Sequence, residues 1–446
     1  LHQTNIIYAS GGHYYLLAPN TETVIEKLGK FQQVLEQFLW KKYAGALYLA
    51  QSHLAFALPD EADSTKVVIK EVGQDTRIPF YQLWKKVTDK VSAQKTCRFK
   101  SVFSSHFDDI FKPSSVAGNL RQGSGELALC KVTGTLITKN IPGENEGVDL
   151  LKSDPNEGEL WVHKDVKLQV EIAEALRFAD FIIISSEGIN GENITCFETL
   201  YVIIVHQIHF FTLIQGKDRD SLALSEDVTI LSINNTNFLP SSNTHSLPHK
   251  NSHSKAYEFL FYGGNRQALI EEGRLAEFTD IAAYKDQNSK HGNKIAVLRM
   301  DVDNLGQIFI QGLPENSRTF SAYSVLSAQF DLFFSGHLNT IRNSEEFKDQ
   351  LNIIYSGGDD VFAVGRWDKA IEFASLVREW FRVFVGRNDI SISAGITIIP
   401  PKFPIAKAAL LAGQAEEQAK EYELLFDTET LKKDAFTVFG ISANWT

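Results

Sequence analysis

The sequence predicts an α+β protein: two ferredoxin-like palm domains, each an antiparallel sheet with helices on one face, and a small α/β domain between them. Three observations predict it. Asn352 to Gly365 reads NIIYSGGDDVFAVG, two apolar runs around a glycine pair. Such a stretch forms a hairpin, because glycine accepts the positive φ angles of tight turns. Upstream, Ile295 to Asp303 (IAVLRMDVD) reads as a buried strand that closes on Asp-x-Asp. Finally, residues 5–17, NIIYASGGHYYLL, echo the glycine-pair hairpin. An internal repeat of this kind predicts two related units.

The elements follow in order. After the first hairpin, Thr21 to Lys42 carries Val24, Leu28, Phe31, Leu35 and Leu39 at helical spacing, and Ala46 to Leu58 reads as a strand. Tyr81-Gln-Leu-Trp84 opens a helix, and Lys85 to Ser101 is locally basic, a solvated face before an RNA-facing one. Leu160 to Ser186 reads as strand, helix (Gln169 to Phe178) and the buried strand Phe181 to Ile184. Tyr201 to Phe211 is strand-like; its His206 and His209 read as core or edge histidines, with no third ligand beside them. Residues 234–256 have linker composition, rich in Asn, Ser, His and Pro. Beyond the linker, Ser321 to Asn343 is helical by Leu326, Phe330, Phe333 and Ile341. Asp368 to Val385 is an amphipathic helix, Asp389 to Pro400 a strand, and Ile405 to Tyr422 the last helix. The expected domains are 1–72, a first palm with a degenerate motif; 73–233, an intervening region; 234–256, the linker; and 257–446, the second palm.

Chemistry is expected at the acid pairs. Adjacent carboxylates repel one another, so Asp359-Asp360 at a turn is costly unless a cation neutralises it. If the Asp-x-Asp strand lies beside the hairpin's second strand, Asp301 faces Asp359 and Asp360 across a metal-sized gap. Oxygen ligands of this kind suit Mg²⁺, which takes one or two carboxylates together with substrate phosphates. The bland alternative is a solvated Gly-Gly-Asp-Asp turn, and the upstream Asp-x-Asp weighs against it. Gly357 and Gly358 would let a triphosphate approach the backbone closely. In the first copy, His13 and Tyr14 replace the acids. That copy makes a poor metal site, while the amides of Gly11 and Gly12 and the Tyr14 ring could still cradle a phosphate or base, or His13 and Tyr14 could simply pack.

LRMDVDNLGQIF, LSAQFDLFFSGHLN, YSGGDDVFAVG and SISAGITIIPPKFPI together resemble the large, polymerase/cyclase-like subunit of type III CRISPR effector complexes, the Csm-type branch best. That family is related to GGDEF nucleotide cyclases. The resemblance is specific from about Tyr257 to Phe439. It implies a metal-dependent nucleotidyltransferase using Mg²⁺ or Mn²⁺ held by Asp301, Asp359 and Asp360, the last two catalytic. It implies ATP as substrate, a 3′-hydroxyl attacking an α-phosphate, pyrophosphate release and cyclic oligoadenylates as product. One ATP would sit on each palm. Asn304, Ser356, Gly357 and Gly358 are further nucleotide-binding candidates, and Lys420, in Ala419-Lys420, matches the alanine-lysine that reaches phosphates in GGDEF cyclases. Implied partners are guide RNA, target RNA and other type III subunits, with target binding switching synthesis on. The family also implies a zinc ribbon of Cys-x-x-Cys pairs. Here Cys130 stands alone and the chain has three cysteines in all, so no zinc is expected.

Two alternatives stand beside this reading: a catalytically silent scaffold binding RNA and sister subunits, and a GGDEF-like dinucleotide cyclase. Intact acids weigh against the first. Two unequal palms in one chain, and Val361 after the acid pair, weigh against the second.

Composition sets outer bounds. The 446 residues suffice for several domains, and 43% hydrophobic with 22% charged is ordinary for globular protein. No apolar run approaches the roughly 20 residues of a membrane span. A net charge of −11 argues against a wholly basic coat but permits a local basic groove. Three scattered cysteines and no secretory signal fit a reducing, cytoplasmic setting. The chain opens on Leu1 with Met300 as its single methionine and reads as a piece of a longer protein whose isolated activity is doubtful. Neither a His-Asp nuclease motif nor a C-terminal helical domain is visible, so DNA cleavage is not expected of this stretch.

Overall fold

A computed structural model describes residues 5–10, 12–43, 45–58, 65–71, 73–111, 126–130, 132, 136–139, 148–154, 158–185, 195–198, 210–215, 228–237, 256–270, 273–284 and 292–445 except 427–428. Two compact units emerge, and they cut across the linear boundaries expected from sequence. One gathers residues 1–24, 52–90 and 261–446; the other holds 25–51 and 91–260.

The first unit opens with a hairpin, β1 (Ile6–Ser10) and β2 (His13–Leu16), antiparallel and two-stranded. A second hairpin, β3 (Lys66–Glu71) and β4 (Gln74–Pro79), runs into helix α1 (Phe80–Lys95). The unit's main sheet is built from β5 (Ile295–Val302), β6 (Leu351–Gly357), β7 (Asp360–Arg366), β8 (Ile392–Ile399), β9 (Ala435–Val438) and β10 (Ile441–Asn444). Their order is β6-β7-β5-β8-β9-β10, antiparallel except for the β8–β9 pair. Strand β5 is therefore central, which matches its nearly continuous burial.

The connections are those of a ferredoxin-like palm. Between β5 and β6 run α2 (Leu305–Gln311), α3 (Phe320–Asp331), a π turn (Leu332–His337) and a short helix (Leu338–Arg342). Between β7 and β8 runs α4 (Trp367–Val385). Ala296, Leu298 and Met300 of β5 pack with Phe330, Phe333, Phe334, Phe373 and Phe381 in one core. The alternate residues, Ile295 and Val297, pack with Ala408 and Ala412 of α5 (Ile405–Lys420) in a second. Helices thus cover both faces of the sheet, not one as expected. The expected helix at 321–343 is interrupted by the π turn, which frees the Phe334 carbonyl to accept from Ser356 Oγ at 2.5 Å.

The first hairpin belongs to the same unit. Tyr15 stacks on Trp84 of α1 at 3.9 Å, and Trp84 continues to Phe309 and Tyr323 at 6.1 Å each. The strand expected at Ala46 to Leu58 is absent: this stretch has no regular strand, and its one bridge among the described residues runs from Ala57 to Val68. Among the described residues, β1 and β2 join no larger sheet.

In the second unit, the helix Glu22–Tyr43 buries Leu35 and Leu39 against Phe99 and Val102 beside the helix Lys100–Phe111. Its buried Glu36 accepts from Tyr48, Gln32 and Ser101. Burial and the Glu36 charge push the Tyr48 phenol up to about 12. A five-stranded sheet runs in the order Thr195–Glu198, Phe210–Ile214, Phe181–Ser185, Val228–Ile233, Ala256–Leu260, the last pair parallel. The helix Lys164–Leu176 lies against it through Ile172 and Leu176. The last strand falls where the second palm was expected to begin. His206, His209 and 238–255 lie outside the described residues, as does Gly11.

Candidate active site

Register brings the acids together. Asp301 of β5 lies directly opposite Asp360 of β7 and, on its other side, opposite Ser393 of β8. Gly357 pairs with Asp360, so the turn is Gly358-Asp359, with Gly358 at φ +68°. Asp359 holds the turn to β5 through its carbonyl, which accepts from Val302 N at 3.1 Å.

The alternation that buries Ile295 and Val297 under α5 also points Arg299 and Asp301 to that helix. Lys420 at its C-terminal end donates to Asp301 Oδ2 and pairs with Glu416 Oε1 at 3.0 Å. Glu416 is buried and also meets Arg299 Nε at 3.4 Å. The array therefore alternates in charge through Arg299, Glu416, Lys420 and Asp301, and ends on a second acid, Asp360. Burial alone would lower the Lys420 ammonium, but Asp301 and Glu416 outweigh it and hold it above its usual range. Asp360 has the opposite problem. Burial, then the Asp301 charge, pushes its carboxyl up to about 6. Its Oδ1 is buried with no hydrogen-bond partner. An orphaned carboxylate oxygen beside a second carboxylate is a donor set that fits a divalent cation.

Gly395 makes this contact possible. A Cβ there would stand 2.1 Å from the Ala412 carbonyl and 2.2 Å from Glu416 N. Only a glycine lets α5 ride this close to β8, and that closeness carries Glu416 and Lys420 to Asp301. The second acid of Asp-x-Asp does different work. Asp303 is buried and accepts from Ser391 Oγ at 2.6 Å, Ser393 Oγ at 2.8 Å and Asp434 N at 3.2 Å. It fixes the end of β5 rather than facing the acid pair.

The other predicted residues are dispersed. Ser356 is buried and bonded to Phe334, facing the π turn. Asn304 adopts φ +58° and its side-chain oxygen accepts from Lys433 Nζ at 2.6 Å. Gly12 (φ +75°) and Tyr14, 67% exposed, lie on the separate hairpin. The expected set of three converging metal carboxylates is not formed: among the described residues no group of three His, Cys, Asp or Glu side chains is placed to hold a metal. The reason is local, since Lys420 already engages Asp301. Cys130 is buried and Cys97 exposed. Sequence reading missed Arg299, Glu416 and Gly395. The signals available were the Glu416–Lys420 spacing of four on a helix and a lone glycine inside an apolar strand.

A central strand bearing an acid, a glycine-turn hairpin bearing two more, and helices over both faces define a palm-type domain. Residues 294–425 match the family description "Cas10/Cmr2, second palm domain", and residues 1–115 match "Csm1 subunit domain B". Three similar proteins share one description, CRISPR system single-strand-specific deoxyribonuclease Cas10/Csm1 of subtype III-A. That of Methanocaldococcus jannaschii is 28% identical over 99% of this chain and 53% of its own length. That of Enterococcus italicus is 27% identical (95% and 46%), and that of Mycobacterium tuberculosis 26% (96% and 48%). The fold is shared with a Csm1–Csm4 cassette in complex with one ATP (TM-score 0.58, 18% identity, 100% of this chain and 50% of that one). It is shared as well with the cassette in complex with cA4 (0.57, 17%, 94% and 46%). The chain thus carries two stretches similar to domains of the Cas10/Csm1 family, and it spans about half the length of the relatives it matches. Among the described residues no helix is long and apolar enough to cross a membrane.

Proposed function

We propose that this chain supplies the ATP-condensing palm of a type III CRISPR large subunit, which makes cyclic oligoadenylates when its guide complex engages target RNA. The observation that carries the reading is the register of Asp301 opposite Asp360, with the Asp360 Oδ1 buried and unpartnered. Pure scaffolding gives no reason to place two carboxylates against each other, since like charges at this range cost stability. Relatives solved with ATP and with cyclic oligoadenylate in the Csm1–Csm4 cassette favour adenine nucleotides and a sister subunit as partners.

Asp301 and Asp360 would hold a divalent cation, Mg²⁺ or Mn²⁺. Such an ion, when bound, supplies charge neutralisation at the reacting phosphate. The chain's own residues do the rest. Gly357 and Gly358 leave the turn open to a triphosphate. Lys420, relieved of Asp301, offers an ammonium to phosphate oxygens, and Glu416 keeps it within reach. Arg299 holds Glu416 in place. Tyr14 and Gly12 would cradle a second nucleotide, which joins the first through 3′-hydroxyl attack with loss of pyrophosphate.

The test uses the full-length subunit assembled with guide RNA and its sister subunits, labelled ATP, a divalent metal and cognate target RNA. Oligoadenylates that appear only with target, and vanish in Asp359→Ala/Asp360→Ala, are the expected result. Intact RNA binding with no product in either protein would leave a scaffold. GTP turnover exceeding ATP turnover would favour a GGDEF-like cyclase.

A further inference from the structure

Within the first unit, a run of aromatic rings joins the first hairpin to the strand that carries Asp301. Of the side chains of β2, His13, Tyr14 and Leu16 are exposed and Tyr15 is half-buried. Alternation along a strand sends Tyr14 and Tyr15 to opposite faces. The Tyr15 ring therefore anchors β2, and its stack on Trp84 is close, 3.9 Å between centroids with 22° between planes. Its hydroxyl adds a second hold, 2.9 Å from Thr88 Oγ1. Thr88 donates its own hydrogen to the Trp84 carbonyl at 3.0 Å, so Tyr15 is the donor to Thr88. Trp84 and Thr88 stand one turn apart on one face of α1, which fixes both the plane and the tilt of the tyrosine.

The other end of the run starts at the acids. Asp303 is held by Ser391, Ser393 and the Asp434 amide, and Asn304 turns the chain directly into α2. Phe309 of α2 is buried, and its ring lies 6.1 Å from Trp84 with 20° between planes. Trp84 thus meets two nearly parallel rings, one on the strand of Tyr14 and one on the helix that follows the Asp301 strand. Close-packed rings have no slack, so the size of the ring at 84 becomes a distance between the two elements it touches.

We propose that Trp84 is a positioning residue for the condensation: packed on both Tyr15 and Phe309, it sets how far a nucleotide on the first hairpin stands from one at Asp301 and Asp360. This rests on the two-nucleotide reading above. In that step the 3′-oxygen bonds to the α-phosphorus and the bond from that phosphorus to the α,β-bridging oxygen breaks. Pyrophosphate leaves with the electron pair, and the hydroxyl proton passes to solvent. Trp84 acts through Tyr15 and Phe309 rather than on the nucleotides.

The test uses the full-length subunit assembled with guide RNA and its sister subunits, cognate target RNA, a divalent metal and labelled ATP. It reads the single-turnover rate of the first phosphodiester bond and, without target, equilibrium ATP binding. Trp84→Leu should slow the bond by about 10²-fold, as a displacement of about 1 Å does, while ATP binding stays near wild type. Trp84→Phe, which keeps a ring in place, should restore most of the rate. Tyr15→Phe keeps the stack and loses the bond to Thr88, for a slowing of about fivefold. Phe347→Leu, at a buried position of the same core outside this stack, controls for stability: at a comparable loss in denaturant unfolding it should keep the rate. Three results would each overturn the positioning role and leave the palm's chemistry standing. They are a wild-type rate in Trp84→Leu, an equal slowing in Phe347→Leu at the same loss of stability, and a fall in ATP affinity as large as the fall in rate. Wild type forming no bond from ATP overturns both readings.

Discussion

The chain contains the same hairpin twice, and the two copies have gone different ways. NIIYASGGHYYLL and NIIYSGGDDVFAV share their apolar runs and their glycines, and Gly12 and Gly358 both take positive φ. Ala9, an extra residue in the first copy, changes the register: Ser10 pairs with His13 there, whereas Gly357 pairs with Asp360. The larger difference lies outside the hairpins. β7 pairs with β5, which brings Asp301 against Asp360, while among the described residues β2 has only β1 beside it. The lesson is that a glycine turn becomes a candidate catalytic site only when a neighbouring strand delivers the second charge.

The comparison can be broken at several depths. The largest effect is expected at the acids. Asp360→Ala in the assembled complex should cost about 10³-fold in oligoadenylate kcat, while Tyr14→Ala should raise the KM for ATP about tenfold with kcat kept. Steady-state kinetics would check both, and equal kcat losses would make the hairpins equivalent partners in chemistry.

Glycine substitutions come next. Gly395→Ala forces a Cβ into the Ala412 carbonyl and should cost about 3 kcal/mol in denaturant unfolding, with loss of activity as α5 is displaced. Gly12→Ala meets nothing within 4 Å, and its cost is the left-handed backbone alone, about 1 kcal/mol.

pH sharpens the contrast further. The Asp360 carboxyl is raised from 3.8 to about 6, so folding favours its protonated form. The stability this confers is complete below about pH 4 and is lost as pH rises through 6. Asp360→Asn should therefore stabilise the metal-free protein above pH 6 by about 1 kcal/mol after solvent screening, and not below pH 4. Thermal melts across this range would show it. Added Mg²⁺ should reverse the ranking by stabilising wild type alone. The smallest effect concerns the first hairpin's docking: a Tyr15/Trp84 double-mutant cycle should give a coupling of about 1 kcal/mol for the stacked pair.

Much of the palm was legible in the chain. Alternation and glycine placement gave β5, the β6–β7 hairpin and α4, and carboxylate repulsion marked Asp301, Asp359 and Asp360 as the place to look. The stretch expected as a first palm was less legible: 46–58 has strand-like composition, yet among the described residues it makes one bridge, because a strand needs a partner for its backbone groups. The two-unit division, with 261–446 joined by 52–90, has no local signal at all.

Local order therefore came from the sequence by itself: strand and helix periods depend on neighbours a few residues apart, and a glycine's φ depends on its own missing Cβ. Tertiary structure alone decided charge. Lys420 sits 119 residues from Asp301 along the chain, and Glu416 meets Arg299 across a helix–strand crossing that Gly395 permits. Electrostatic pairing depends on distance through space, and only the folded packing of α5 on the sheet sets it.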